Sequence, residues 1–260
     1  MAPQGDGKQV PVTSHYPEVL IRLLEDLAEE THVPKAHHLR EALRGYLRDQ
    51  GKLSKPLFEI EAVRVPVIIS ARYRRHASLP EMYALIAIGK HLHPASIDVY
   101  LSSDEILRQG RTLEGSYVLL GGPKNNPVTA EALQALDAVR PLTLRLEVDS
   151  ESGAAEILDR RTGERFRSDQ AVEEQVPHDF SDYGVAVKAP HPQTGKPIYL
   201  CAGCHAFGTY AALRALIEPE LVEGLVRRLG QPDAAFECLV HTRVRNFVPE
   251  TPTIVDLVER

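Results

Sequence analysis

Near its start the chain carries two helical stripes of apolar residues. In PEVLIRLLEDLAEETH, Leu20, Leu23, Leu24 and Leu27 recur at helical spacing, and Pro17 suits a first helical turn. VPKAHHLREALRGYLRDQGK repeats the pattern through Leu39, Ala42, Leu43, Tyr46 and Leu47, with Gly51 as its stop. Before both, Val10, Val12, Ser14 and Tyr16 alternate with Gln9, Pro11, Thr13 and His15, the period of two that a strand requires. One short strand and two short helices bury little apolar surface alone, so this segment calls for a partner.

Past GKLSKP, residues 51–56, which reads as a linker, the pattern changes. RVPVIIS, SIDVYLS and GSYVLLGG are apolar strand runs; PEMYALIAIGKHL, DEILRQG and PVTAEALQALDAV between and after them are helical. That alternation predicts βαβ units and a mainly parallel sheet of Rossmann type. LTLRLEVDSESGAAEILDRRTGERFRS reads instead as hairpin-linked strands turning at Gly153 and Gly163, an antiparallel extension. DYGVAVKAP, KPIYLCAG, the helical YAALRALIEPELVEGLVRRLG and AAFECLVHTRVR resume the sheet. The expected fold class is α/β, with a small module over residues 1–52 and a ligand-binding domain over residues 57–260.

The strand–helix–helix order of residues 8–50, with LAEETHVPKAHHLREALRGYL, resembles the ribbon-helix-helix family of dimeric DNA-binding proteins. The resemblance implies a homodimer whose paired strands enter the major groove. The outward positions would be Gln9, Pro11, Thr13 and His15, with Gln9, Thr13 and His15 contacting DNA. Two features depart from the family pattern. Pro11 lies inside the strand, and residues 1–55 carry eight Lys/Arg against eight Asp/Glu, a net of zero. A module that dimerises without binding DNA is therefore the alternative. The remainder faintly resembles Rossmann-type nucleotide-binding domains of bacterial signalling and defence proteins, including Toll-receptor-like ones, a likeness of fold alone.

Composition narrows the setting. The net charge of -6 provides no overall attraction to nucleic acid or an anionic membrane. MAPQGDGKQVPV has no apolar leader core, and no run approaches the roughly 18 apolar residues of a membrane span. Three cysteines, an odd number, do not suggest a disulfide framework. A cytoplasmic protein without a membrane partner is expected.

The chemistry concentrates in YLCAGCHAFGTYAALRAL. Cys201-Ala202-Gly203-Cys204-His205 spells the C-x-x-C-H of covalent haem attachment, yet no export segment is expected and the only methionines are Met1 and Met82. Zinc is a stronger rival, since Cys201 and Cys204 with Cys238 and His241 give four acceptable ligands. However, Cys238 and His241 stand three apart on one predicted strand and face opposite ways. Buried structural thiols are the preferred reading of the cysteines.

The same stretch also has a strand–turn–helix form. Gly203, His205, Gly208 and Thr209 occupy a turn of the kind that receives a phosphate on a helix N-terminus. LLGGPKNNPVTAEAL presents Gly121, Gly122, Lys124 and Asn125 at the end of another strand, with Asn126 and Pro127 suited to start the next helix. In an open parallel sheet both loops lie at the ligand-binding edge and share a pocket if their strands are neighbours. SARYRRHASLPEMY adds cationic Arg72, Arg74, Arg75 and His76, with Glu81 as a nearby carboxylate. The leading expectation is a ligand-responsive DNA-binding regulator that takes a nucleotide or similar anion and requires no cofactor. One alternative is a nucleotide-processing hydrolase or glycosidase with His205 as acid–base and Glu81 as second group. The other is a zinc-stabilised interaction protein.

Overall fold

The structure, a computed structural model, describes residues 18–31, 67–68, 79–91, 99–100, 117–149, 154–169, 179–231 and 233–260, with single positions at 35, 38 and 42. The chain divides into two compact units, Met1–Leu53 and Ser54–Arg260, with the boundary inside GKLSKP. In the first unit, α1 spans Glu18–Thr31 and leaves Ile21, Leu23 and Leu27 exposed. Lys35 pairs with Glu25 at 2.6 Å, and His38 bonds the Thr31 hydroxyl. Gln9, Thr13 and His15 lie outside the described residues.

The second unit is α/β. Its elements are β1 (Val67–Ile68), α2 (Leu79–His91), β2 (Val99–Tyr100), β3 (Tyr117–Leu120), α3 (Pro127–Val139), β4 (Leu144–Val148), β5 (Ala155–Asp159) and β6 (Arg165–Arg167). They continue as β7 (Asp179–Pro190), β8 (Pro197–Gly203), α4 (Ala206–Ile217), α5 (Pro219–Leu229), β9 (Phe236–Arg245), β10 (Val248–Pro249) and β11 (Thr253–Glu259). The eight-stranded sheet has the order β10-β9-β7-β8-β3-β1-β2, with β11 also on β9. β2, β1, β3 and β8 run parallel, whereas β7, β9, β10 and β11 join antiparallel. The sheet is mixed.

Short connections cause that change of direction. β7 and β8 are joined only by residues 191–196, too few for a parallel crossover. Asn246 and Phe247, between β9 and β10, have φ of 48° and 63°, the paired positive values of a tight hairpin turn. The predicted hairpins do form, but β4, β5 and β6 make a separate three-stranded sheet. The long predicted helix breaks into α4 and α5 at Glu218, because the proline that follows forces it out of helical geometry (ψ 124°).

Side-chain alternation loads both faces of the main sheet. Val118, Leu120, Tyr199, Cys201, Cys238 and Val240 pack with α2, α4 and α5. Tyr117, Leu119, Leu200, Val185 and Leu239 pack on the other face with α3 and the small sheet, through Val128, Leu136, Leu144 and Ile157. No described helix is long and apolar enough to cross a membrane.

α4 presses its first turn directly on β7. A Cβ on Gly184 would overlap the Gly208 carbonyl, and one on Gly208 would overlap the carbonyl of Tyr183. Gly208→Ala is therefore expected to cost about 3 kcal/mol, since two backbones must separate. Gly224→Ala, in α5 with open space around its Cβ position, should instead stabilise by about 0.5–1 kcal/mol. Urea denaturation of the two variants checks the contrast; equal effects would refute the close-packing account.

Candidate functional site

β3 and β8 are adjacent and parallel, with Leu120 opposite Cys201, so the loops that leave them emerge side by side. Gly121 extends the ladder by donating its N–H to the Cys201 carbonyl at 2.9 Å, and its φ of 100° turns the chain away. The Gly122 carbonyl then accepts from Asn125 and Asn126, closing a tight turn. Asn126 is completely buried: its side-chain oxygen accepts from Val128 and Thr129, and its amide donates to the Leu120 carbonyl at 3.0 Å. With Pro127 next, it starts α3 and anchors the loop.

The β8 loop is held from β7. Cys204 donates its N–H to the Tyr183 carbonyl at 2.9 Å. The Asp182 carboxylate, fully buried, accepts from the backbone N–H groups of Tyr183 (2.9 Å), His205 (3.2 Å) and Gly208 (2.6 Å), and Ser168 bonds it as well. His205 occupies the capping position of α4 without a side-chain cap bond, so Asp182 does that work from a neighbouring strand. The consequence for the phosphate reading is direct. Two amides that would have greeted an anion at this turn already serve an internal carboxylate.

Between the loops lies a cavity of about 300 Å³. Gly121, Gly122, Lys124 and Asn125 line it from one loop, and Gly203, Cys204, His205 and Thr209 from the other. A third wall, unforeseen from the sequence, comes from Leu146, Glu147 and Val148 of β4 with Ala154 and Ala155 at β5. Gly208 does not line the cavity; it faces Asp182 and Tyr183. Thr209 sits in the first turn, its hydroxyl donating to the His205 carbonyl at 3.5 Å. The side chain of Glu81, in the first turn of α2, lies outside the described residues, as do Arg72, Arg74, Arg75 and His76.

Burial pushes the His205 imidazole below its ordinary range, and the Lys124 charge lowers it further. The ring is thus neutral at physiological pH. Burial raises the Cys204 thiol to about 12, with the Asp182 charge adding to it; its Sγ donates to the Phe166 carbonyl at 3.3 Å. Cys204 is therefore no thiolate nucleophile.

The zinc set does not assemble. Cys201 and Cys238 flank Ala186 in the core beneath α4, whereas Cys204 belongs to the core on the opposite face. His241 stacks on Tyr183, ring centroids 4.8 Å apart, and burial lowers its pKa. Burial raises the Cys238 thiol to about 12 and Cys201 higher still. Among the described residues no group of three His, Cys, Asp or Glu could hold a metal ion. Alternation along the strands is the reason: nearby sequence positions were sent to opposite faces.

Comparison with protein-family models, with characterised proteins and with solved structures finds no match to this chain.

Burial pushes the Asp182 carboxyl up to about 7, while Gly208, Tyr183, His205 and Ser168 pull the other way. In the unfolded chain it titrates near 4. Between those values the folded protein keeps a proton that the unfolded chain releases. This group's contribution to stability is therefore full below about 4 and lost as the pH rises through 7. The wild-type denaturation midpoint is expected to fall between about pH 5 and pH 8, and Asp182→Asn to flatten that slope. Parallel pH profiles for the two proteins would refute the assignment.

Proposed function

We propose that the protein is a ligand-responsive, DNA-binding regulator of the cytoplasm. In this reading residues 1–52 form a ribbon-helix-helix-like module that dimerises, with Gln9, Thr13 and His15 meeting DNA. Residues 57–260 form a Rossmann-type domain that receives a nucleotide or similar small anion, and its occupancy alters the dimer. The observation that carries the proposal is the cavity of about 300 Å³ between the loops after β3 and β8.

Ligands of open α/β sheets settle at the carboxyl edge of parallel strands, where strand order reverses. β2 and β3 lie on opposite sides of β1, so the loop after β3 borders such a reversal. Gly121 and Gly122 admit close approach, Lys124 supplies positive charge, and Asn125 suits a ribose or base edge. The dimer half rests on α1, whose exposed Ile21, Leu23 and Leu27 are side chains that a second copy would cover. His205 also suits acid–base chemistry on a bound ester, but the described groups beside it favour binding. Glu147 is tied to Arg165 at 3.0 Å, and the Cys204 thiol is neutral.

Native mass spectrometry of the purified protein, with and without added AMP, tests the proposal. The expected species is a dimer that holds a small phosphorylated or carboxylated molecule per chain and loses most of that occupancy in Lys124→Met. A monomer, or occupancy that ignores Lys124→Met, would overturn it.

A further inference from the structure

The walls of the cavity differ sharply in chemistry. Lys124, at the rim, is the only Lys or Arg among the described residues that line it. Facing the loops, Leu146, Val148, Ala154 and Ala155 present an apolar wall. Glu147 stands in that wall too, but Arg165 holds it at 3.0 Å and Arg145 lies 3.7 Å away, so its charge is answered locally. Behind the third side is Asp182, bonded to the His205 and Gly208 amides.

That last contact decides how much negative charge the site accepts. Loops that cradle a polyphosphate turn successive free amides and the positive end of a helix toward it. Here the N–H groups of His205 and Gly208 point at an internal carboxylate, which also answers the helix dipole. A second phosphate would find these donors taken. Volume points the same way. About 300 Å³ is the lower end of the range for ligand pockets.

We infer that the cavity selects a molecule with one anionic group on a compact, mainly apolar body, and discriminates against di- and triphosphates. This deepens, and rests on, the reading of the cavity as a ligand site. The anionic group lies at Lys124 and the neutral His205 ring, which donates or accepts according to its tautomer. The body lies against Leu146, Val148 and Ala154. Specificity then comes from both ends, since inorganic phosphate lacks the body and pyrophosphate carries a second charge for which the described lining offers no cation besides Lys124.

Calorimetric titration of the full chain with phenyl phosphate, inorganic phosphate, pyrophosphate, AMP and ADP tests this. Phenyl phosphate is expected to bind at least about tenfold more tightly than phosphate or pyrophosphate, and AMP more tightly than ADP. Lys124→Met should weaken phenyl phosphate about tenfold, whereas Val148→Thr should weaken phenyl phosphate severalfold and leave phosphate unchanged. Both side chains are exposed, so neither variant threatens the fold, and thermal melts confirm it. If ADP or pyrophosphate binds as tightly as AMP or phenyl phosphate, and Lys124→Met still weakens it, the ligand class is wrong and the site stands. If no probe binds at millimolar concentration, or none responds to Lys124→Met, the site itself is refuted.

Discussion

A carboxylate sealed from water holds the site in shape. Asp182 lies on β7, yet its bonds run to the turn that opens α4, through the amides of His205 and Gly208. Isolating a carboxylate from solvent costs several kcal/mol unless its oxygens are answered, and here three backbone donors and Ser168 answer them. The arrangement requires α4 and β7 to approach closer than side chains allow. Gly184 and Gly208 meet that need, each standing where a Cβ would strike the other element's backbone. The glycines bring the elements together, and the carboxylate fixes how far the helix turns. His205 is left facing the cavity because its N–H is fastened behind it.

What the sequence disclosed, and what it withheld, follows the range of the interactions. The YVLL and PIYLCAG runs announced strands because both faces of the sheet are buried there. Asn126-Pro127 announced the start of α3 because a cap is written in neighbouring residues. The two glycine loops could be named, but their adjacency depends on β3 pairing with β8, about 80 residues apart, which no local pattern encodes. Asp182 was invisible as a structural residue for the same reason, as it acts on a turn 23 residues away. A hint existed. A helix that begins at His-Ala-Phe-Gly has no capping side chain of its own, so an acceptor had to arrive from elsewhere.

The sheet's mixed direction was a different kind of difficulty. Alternating helices and strands suggested parallel pairing, but HPQTGK between β7 and β8 is a turn and not a crossover. Its Gly195, at φ 69°, is the one position whose left-handed backbone marks the turn. The cysteines taught a related lesson. Cys201 and Cys204 are three apart, which reads as a ligand pair but puts them on opposite faces once β8 extends through Gly203.

The cavity's apolar wall depends on an anchor at the far end of the domain. Glu237, on β9, accepts the Leu144 N–H at 2.7 Å, which fixes where β4 begins. Its other oxygen pairs with Arg260, which in turn donates to the Arg140 carbonyl beyond the end of α3. Both partners are nearly dry, with side-chain exposures of 1% and 7%. A buried pair of this kind adds little net stability, but it specifies position strongly, because breaking it strands a charge. α3 runs from the cavity loop at Asn126 toward this anchor, and β4 runs from the anchor back to the cavity at Val148. The two elements that frame the cavity are therefore fastened at their remote ends, while Asn126 and Asp182 fasten the loops at the near end. The loops could drift if only the near end were fixed, because α3 and the small sheet would carry the wall away from them. Two buried carboxylates on neighbouring strands, Asp182 on β7 and Glu237 on β9, thus anchor the elements that frame the same cavity, one at each end.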